Sequence, residues 1–276
     1  MLSNFYVREH VKSALQEDIG FGDITTENLA SSSDYLKGEL NSRSDGILCG
    51  CEVFKTVFQI LSDKIKIQFY FKDGDKIQKG DKIADIEGSA KYLLMGERVA
   101  LNYIQRMSGI ATETRKYQDA IGDLPAKIVD TRKTTPNFRV FEKYSVKVGG
   151  GSLHRFNLSD CAMIKDNHIK LAGSLTKAVE KVRANISHAH KIEVECDTLE
   201  QVKEAVETSA DIIMLDNMDF ETMKKAVEII NHEAIVEASG NVTLNTVRQI
   251  AECGVDIISS SAIVAKANTL DIALDM

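Results

Sequence analysis

The spacing of apolar positions differs between the two parts of the chain, before and after about residue 91. Before that point, residues 4–17 carry helical spacing, and short strand-like segments follow near 36–50 and 65–71. The stretch 73–88 repeats a Gly-Asp-Lys-Ile unit around a short strand, which predicts a tight β hairpin with glycines at positive φ.

After residue 91, one long helical pattern is followed by apolar runs that alternate with amphipathic helices. The apolar runs cover 127–130, 162–165, 191–195, 211–216, 234–239 and 256–260. The helical stripes between the later runs begin near Leu175, Leu199, Met223 and Leu244, and Thr198 and Asp219 are predicted N-caps. This alternation predicts parallel strands joined by crossover helices, in either an α/β barrel or a doubly wound sheet.

Polar residues at the carboxyl ends of these runs favour the barrel. They are Asp130, Arg132, Lys133, Lys165, Asp166, Glu195, Asp216, Glu237, Ser239 and Ser260. In a barrel the carboxyl ends of all strands converge on one mouth, where such enzymes place their chemistry. An open sheet would spread the same groups along an edge, with binding only at a switch point.

Composition limits the partners of this protein. Its 276 residues are 43% hydrophobic, which suffices for one large core or for a barrel plus a small second domain. A formal net charge of −7 without a long basic run argues against a nucleic-acid partner. The sequence shows no signal-peptide core and no membrane-length apolar run, and its five cysteines lack disulfide or zinc spacing. We therefore expect a cytoplasmic protein that binds neither nucleic acid nor membrane.

Cationic residues near the strand ends are expected to meet at the barrel mouth. They are Arg132, Lys133, His154, Arg155 and Lys165. Cations brought together repel one another and lose solvation, so they need an anionic partner, and arginine grips a carboxylate or phosphate with two parallel bonds. The set predicts an anionic substrate, with ordinary surface salt bridges as the alternative.

Acidic and glycine-rich positions complete the expected site. Glu193 and Glu195 alternate on one strand and face the same way, and Asp216 ends the next strand. Acids at neighbouring strand ends suit Mg²⁺ or sugar hydroxyls, and pairing with the cations is the competing interpretation. The stretches 149–151 and 239–241 offer backbone N–H groups that can hold phosphate, although such residues also serve as loop hinges.

Two residues admit other interpretations. His168 could act as a general acid or base, or it could hydrogen-bond its own loop. Lys165 stands where barrel enzymes form Schiff bases, but the neighbouring carboxylates Asp166 and Glu195 favour the charged amine, which opposes that chemistry.

Ten motifs, in order along nearly the whole chain, resemble the signature set of the quinolinate phosphoribosyltransferase family. They are ERVALN (97–102), SGIAT (108–112), DTRKTTP (130–136), EKY (142–144), GGG (149–151), HR (154–155), KDNH (165–168), EVE (193–195), LDN (215–217) and EASGN (237–241), with EDIGFGDIT (17–25) in addition. One such motif would be weak evidence, whereas ten in order are strong evidence.

The resemblance implies an α/β fold class, with an incomplete parallel α/β barrel and a smaller N-terminal α/β sandwich domain. It implies a sandwich over 1–104, a barrel over 105–265, and a tail over 266–276 that returns to the N-terminal domain. Members of the family are homodimers in which the small domain of one subunit covers the barrel mouth of the other. They use quinolinate, phosphoribosyl pyrophosphate and Mg²⁺, and release nicotinate mononucleotide, pyrophosphate and CO₂ in NAD biosynthesis.

The resemblance also implies roles for individual residues. Quinolinate would be gripped by Arg132, His154, Arg155 and Lys165, with Arg98 reaching across the dimer. Lys133 would lie between quinolinate and the phosphoribosyl group, and Thr131 would join the substrate-binding set. Glu195 and Asp216 would hold the ribose hydroxyls and Mg²⁺, directly or indirectly, and would share the catalytic role with Lys133. The 5-phosphate would be held by Ser239, Gly240, Asn241, Ser260 and Ser261.

Three positions depart from the family pattern. Leu153 stands where Asn is usual, Ser261 where glycine is common, and Ala265 where histidine is common. The last two bear on phosphate binding by the final loop. Two alternatives remain, namely a paralogue of the same fold that acts on another acid, and a non-catalytic barrel that senses an anionic metabolite.

Overall fold

The computed structural model describes residues 2–31 and 33–276, which form two compact units. The first unit comprises Met1–Arg115, Pro136–Gly150 and Ala267–Met276, and the second comprises Lys116–Thr135 and Gly151–Lys266. The resemblance implied a barrel over 105–265, whereas this division assigns 105–115 and 136–150 to the first unit. The helix in that segment contributes Phe141, which is fully buried, to the apolar core of the first unit.

The strands before the fourth helix pair in antiparallel sheets, whereas the strands after it, apart from the last, form a parallel sheet. The first half contains α1 (Asn4–Ile19), α2 (Thr26–Leu29), β1 (Tyr35–Ser42), β2 (Gly46–Ile47), α3 (Cys51–Leu61), β3 (Lys66–Phe69), β4 (Lys76–Ile77), β5 (Lys82–Ser89) and α4 (Ala90–Ile121). The second half contains β6 (Lys127–Val129), α5 (Arg139–Val148), β7 (Ala162–Ile164), α6 (Asp166–Ala172), α7 (Leu175–Arg183), β8 (Ile192–Cys196), α8 (Leu199–Val206), β9 (Ile212–Asp216), α9 (Phe220–Ile230), β10 (Ile235–Ser239), α10 (Val247–Ala251), β11 (Ile257–Ser259), α11 (Ala262–Ala265) and β12 (Ile272–Asp275). None of the helices that the structure describes is long and apolar enough to cross a membrane.

The first unit is built on a four-stranded antiparallel sheet in the order β12-β1-β5-β3. Burial along β1 alternates, so the sheet presents one apolar and one polar face. The apolar side belongs to a core that includes Phe54, Phe58, Leu93, Ile104 and Met107, none of which is exposed. The last strand, β12, pairs with β1, so the C-terminal tail completes this sheet.

The repeated Gly-Asp-Lys-Ile unit forms two similar turns. Asp75 and Asp81 each accept the backbone N–H of the residue three positions earlier, at 2.9 and 2.8 Å, and Gly74 and Gly80 both adopt φ +95°. The strands beside these turns do not pair with each other, because β4 pairs with β2 while β5 pairs with β1 and β3. The prediction of a hairpin within 73–88 was therefore wrong, since distant partners and not the local turns decide the pairing.

The second unit contains a six-stranded parallel sheet in the order β6-β11-β10-β9-β8-β7. The strands follow chain order from β7 to β11, with β6 beside β11, and β6 and β7 are not paired with each other in the described part of the chain. This is an incomplete α/β barrel, and the predicted fold class is confirmed. Two predicted helix caps are present, because Thr198 forms a capping box with Gln201 and Asp219 accepts the Thr222 N–H.

Candidate active site

A cavity of about 710 Å³ opens at the carboxyl ends of the parallel strands in the second unit. The predicted site residues on its wall are Thr131, Arg132, Lys133, His154, Arg155, Lys165, Glu195, Asp216, Ser239, Gly240, Asn241, Ser260 and Ser261. The structure thus brings together the residues expected to bind the substrates, except Arg98, which is exposed on α4 in the first unit. Of the other candidates, Glu193, Glu237 and His168 do not line this cavity. The volume falls within the range of roughly 300–1,000 Å³ that small-molecule sites occupy.

Strand periodicity explains why these side chains meet. Asp216 and Ser239 are the last residues of β9 and β10 and lie opposite each other in the sheet. Glu195 precedes the last residue of β8, and Lys165 directly follows β7. Because parallel strands end at the same edge of a sheet, residues that are far apart in sequence converge on one cavity.

Lys165 and Glu195 form an ion pair on the cavity wall, between Nζ and Oε2. The competing interpretation, in which acids pair with cations, is therefore realised at this pair. Lys165 is oriented by its own loop, because its backbone N–H donates to His168 Nδ1 at 3.0 Å where α6 begins. This contact gives His168 a structural role.

Arginine side chains supply further positive charge to the wall. The Arg155 guanidinium is anchored by the carbonyl oxygen of Cys161 at 2.8 Å. Arg132 and Lys133 are exposed on the loop after β6, where the Lys133 N–H donates to Thr131 Oγ1 at 3.0 Å. Cations gathered on one concave wall repel each other, and binding an anion relieves that repulsion.

His154 lines the cavity, but both of its ring nitrogens face protein groups. Nε2 lies 3.2 Å from Glu193 Oε2 and 3.4 Å from Glu237 Oε1, and Nδ1 accepts the Arg155 N–H at 2.8 Å. The two glutamates, on β8 and β10, are each 1% exposed. A contact between His154 and a substrate carboxylate stays a prediction, because the ring would have to leave one of these partners to make it.

The two buried carboxylates set the protonation of this cluster. Burial lowers the pKa of His154, but hydrogen bonds and charge from Glu193 and Glu237 outweigh burial and raise the pKa to about 10. Burial raises the pKa of Glu193, and the charge of Glu237 raises it further against the opposing effect of His154. Both shifts mean that the cluster holds more protons at neutral pH than the same groups would in water. Protonation of the His154 ring at both nitrogens requires the Arg155 N–H to move away from Nδ1, because a protonated Nδ1 cannot accept a hydrogen bond.

Two groups of side chains offer donors for a metal ion. Glu195 and Asp216 bring carboxylates to the open cavity, and hard cations such as Mg²⁺ prefer oxygen donors of this kind. Donor atoms of His154, Glu193 and Glu237 also lie within 4.8 Å of one another. In that buried group Nε2 already contacts both carboxylates, so its geometry is that of an ion pair.

The turn after β10 and the loop after β11 supply polar groups suited to a phosphate. Gly240 and Asn241 have φ of +89° and +51°, which turns the backbone away from the strand end. Ser260 Oγ accepts the Ala262 N–H at 3.2 Å, and Ser261 lies on the cavity wall. Hydroxyls and turned backbone amides of this kind form anion-binding concavities.

The glycine stretch 149–151 does not line this cavity. A Cβ on Gly149 would overlap the carbonyl oxygen of Ala111 and lie 2.7 Å from Thr114 Cβ, within the first unit. Glycine at this position therefore serves close packing against α4. This favours the structural interpretation of the stretch over phosphate binding.

Several wall residues were not predicted from the sequence. They are Met163, Met214, Asn217, Val242, Ser259, Ala262 and Lys266. Asn217 directly follows Asp216, and its place one step beyond a strand end was the available signal. Lys266 adds a further cation next to Ala265, and no spacing pattern pointed to it.

A hollow of about 760 Å³ lies on the polar face of the antiparallel sheet in the first unit. Its charged side chains satisfy one another, with Lys37 3.0 Å from Glu87 and Lys82 2.8 Å from Asp85. These are exposed ion pairs on a strand surface, and pairs of this kind contribute little energy. The hollow is a solvated face of the sheet.

The parallel barrel, with a cation-lined cavity at its strand ends, defines an α/β-barrel enzyme that handles an anionic small molecule. Sequence models of the quinolinate phosphoribosyl transferase N-terminal and C-terminal domains match residues 23–108 and 110–275. The chain belongs to the quinolinate phosphoribosyl transferase family, and the resemblance inferred from its motifs is confirmed.

Known relatives agree with this membership. A probable nicotinate-nucleotide pyrophosphorylase (carboxylating) from Synechocystis is 44% identical over 267 residues, which cover 95% of this chain and 90% of the relative. A mitochondrial quinolinate phosphoribosyltransferase (decarboxylating) from Nicotiana tabacum is 40% identical over 287 residues, covering 97% and 81%. The crystal structure of NadC from Streptococcus pyogenes matches with a TM-score of 0.97 at 41% identity, covering 100% of this chain and 98% of that one.

Proposed function

We propose that this chain transfers a phosphoribosyl group from phosphoribosyl pyrophosphate to quinolinate and releases nicotinate mononucleotide, pyrophosphate and CO₂. The observation that carries the proposal is one cavity in which Arg132, Arg155 and Lys165 converge beside Glu195 and Asp216. A dianionic ring acid and a polyanionic sugar phosphate both require cations, whereas sugar hydroxyls require carboxylates. The names of the relatives support the same reaction.

Quinolinate carboxylates fit the cationic part of the wall. Arg155 is held in place by the Cys161 carbonyl, so its guanidinium is partly preorganised. Arg132 is exposed on its loop and can approach the second carboxylate. Lys165 adds a point charge, and a substrate carboxylate competes with Glu195 for it.

The sugar phosphate fits the other side, with the 5-phosphate at the 239–241 turn, Ser260 and Ser261 and with Lys133 between the two substrates. The family departures bear on this assignment in different ways. Ser261 lies on the cavity wall and adds a hydroxyl where glycine is common. Leu153 lines a separate hollow of about 210 Å³ and not the main cavity, so it leaves that wall unchanged.

Magnesium is the proposed cofactor, held by Glu195 and Asp216 directly or through water. Both carboxylates lie on the cavity wall, and oxygen donors are the ligands that this ion prefers. When bound, the ion would neutralise charge on the departing pyrophosphate.

The side chains of the chain contribute positioning and charge. Loss of pyrophosphate leaves positive charge on the ribose carbon, and the carboxylates of Glu195 and Asp216 stabilise that charge through space. Arg132 and Arg155 hold the quinolinate carboxylates so that the pyridine nitrogen points at the ribose carbon. Attack by that nitrogen makes the ring electron-poor, and the carboxylate beside the nitrogen then leaves as CO₂. The electron pair that remains on that ring carbon takes up a proton from solvent.

The proposed assembly is a homodimer in which Arg98 reaches the quinolinate site of the partner subunit. Arg98 is exposed and lies outside the cavity wall of its own chain. The segment around α2 exposes large apolar side chains, with Phe21, Ile24 and Leu29 each at least 82% exposed. Apolar side chains exposed so close together in the chain support an interaction surface.

The proposed reaction belongs to de novo NAD biosynthesis and is placed in the cytoplasm. All five cysteines are free thiols, and four of them are buried. Free thiols persist in a reducing compartment, which supports this location.

A direct assay tests the reaction. Purified protein is mixed with quinolinate, phosphoribosyl pyrophosphate and Mg²⁺, and nicotinate mononucleotide and CO₂ are measured together; we expect equal amounts. Arg132→Ala should lower kcat/KM for quinolinate about tenfold to hundredfold, the value of a charge-assisted contact. Lys181→Ala, an exposed lysine on α7, is the control and should change nothing. A wild-type protein that forms neither product refutes the proposal.

A paralogue acting on another acid is the second candidate, favoured by Ser261 on the cavity wall. Calorimetry with quinolinate and with single-carboxylate pyridines separates the two. Tight binding of quinolinate alone removes the paralogue, and binding without any turnover indicates a sensor.

A further inference from the structure

The ends of β9 and β10 lie side by side, and the chain leaves both in an unusual conformation. Asp216 and Ser239 are opposite each other in register. The residues that follow, Asn217, Gly240 and Asn241, have φ of +54°, +89° and +51°. Left-handed backbone at a residue other than glycine is strained and persists only where its surroundings enforce it.

Asn217 uses its backbone and its side chain at this junction. Its backbone N–H donates to the Ser239 carbonyl at 3.0 Å, and its Nδ2 donates to Asp216 Oδ2 at 2.7 Å. Its Oδ1 accepts from Asn241 Nδ2 at 3.0 Å. The amide orientation is fixed chemically, because a carboxylate oxygen can only accept and must face the NH₂ group.

Gly240 is part of the same arrangement. A Cβ at this position would overlap Asn217 Oδ1 and lie 2.9 Å from the Asn217 backbone nitrogen. The turn therefore packs directly on the Asn217 side chain, with no room for any larger residue.

We propose that Asn217 is a positioning residue that ties the Asp216 carboxylate to the 239–241 turn. The proposal rests on the proposed function, in which Asp216 serves the ribose and Mg²⁺ and the turn serves the 5-phosphate. Both groups belong to one substrate, phosphoribosyl pyrophosphate. Asn217 thus sets the spacing between two subsites of the sugar phosphate and leaves the quinolinate subsite untouched.

The experiment compares Asn217→Gly, Asn217→Ala and Asn217→Asp with Asn231→Gly and Asn231→Ala. Asn231 is the matched control, because it is also left-handed, at φ +44°, and exposed at the end of α9. Alanine should lower Tm at both positions because of the left-handed backbone, and glycine should recover that part of the loss. Only the Asn217 variants, glycine included, should raise KM for phosphoribosyl pyrophosphate, by about tenfold to hundredfold. Asn217→Asp keeps the shape, but it cannot donate to Asp216 and should be at least as impaired.

Calorimetry with ribose 5-phosphate and with quinolinate provides a readout independent of turnover. Asn217→Gly should bind ribose 5-phosphate about tenfold or more weakly than wild type, and quinolinate equally well. Unchanged ribose 5-phosphate binding, or equal weakening of both ligands, overturns the proposal. A wild-type protein that binds ribose 5-phosphate without converting quinolinate defeats the proposed function alone, and the Asn217→Gly comparison still decides the role of Asn217.

Discussion

The buried cluster of His154, Glu193 and Glu237 predicts how stability depends on pH. The folded-state pKa of His154 is raised to about 10, above the ordinary value of about 6.5. Stabilisation from a raised pKa is fully present below pH 6.5 and is lost as the pH rises towards 10. Replacing the two carboxylates, as Glu193→Gln/Glu237→Gln, removes the cause of the shift while keeping the side-chain shape. The double variant should therefore lack this loss.

The size of the effect follows from linkage. With a folded pKa of about 10 and an unfolded pKa of about 6.5, the contribution of His154 falls by at most about 3 kcal/mol between pH 6.5 and pH 9, because the second ring proton also displaces the Arg155 N–H from Nδ1. For a domain of this size, that upper bound corresponds to a difference of about 6–12 °C in the change of Tm between wild type and variant. The raised pKa of Glu193 acts in the same direction, because a buried carboxyl group that ionises as the pH rises costs stability.

Thermal melts at pH 6.5, 7.5, 8.5 and 9, followed by circular dichroism at one protein concentration, measure this difference. Circular dichroism suits a chain without tryptophan. Glu200→Gln/Glu228→Gln removes two exposed carboxylates from α8 and α9 and should keep the wild-type slope. The reasoning is refuted if Tm of the Glu193→Gln/Glu237→Gln variant falls with pH as steeply as that of wild type.

Three further outcomes are expected. Gly109→Ala should destabilise the first unit by about 2 kcal/mol or more, because its Cβ would overlap a backbone carbonyl oxygen. Gly173→Ala has open space around the new Cβ but a positive φ, and should cost about 1 kcal/mol. Urea denaturation measures the free energy of unfolding of both variants. Mixing the weakly active Arg98→Ala and Arg132→Ala proteins should raise activity to about a quarter of the wild-type level if Arg98 acts across a dimer. No rise above the activity of the separate variants after subunit exchange would place Arg98 elsewhere. EDTA should abolish activity, and added Mg²⁺ should restore it. Asp216→Asn should raise the Mg²⁺ concentration that gives the half-maximal rate. A rate that EDTA does not change would contradict the proposed cofactor.

The alternation of apolar runs and amphipathic helices was sufficient to predict the parallel sheet. The prediction succeeds because the burial pattern of each βα unit is visible in a short stretch of sequence. The cavity followed from the same pattern, since residues such as Glu195, Asp216 and Ser239 could be placed at strand ends. Topology then brings all strand ends to one edge.

The parts that the sequence did not reveal depend on contacts between distant segments. The turns at Gly74 and Gly80 were recognisable, but the partners of the strands beside them were not. The ring of His154 faces two carboxylates on β8 and β10, and no local spacing shows that orientation. The left-handed backbone of Asn217 likewise becomes visible only when the neighbouring strand end is in place.

The pairing of β12 with β1 has a consequence for synthesis on the ribosome. The second unit ends at Lys266, whereas the first also needs Ala267–Met276, so the later unit is fully translated before the earlier one. A nascent or truncated chain that stops at Lys266 carries every strand of the parallel sheet but leaves β1 as an open edge. An unpaired edge recruits strands from other chains, so such fragments should aggregate through the first unit.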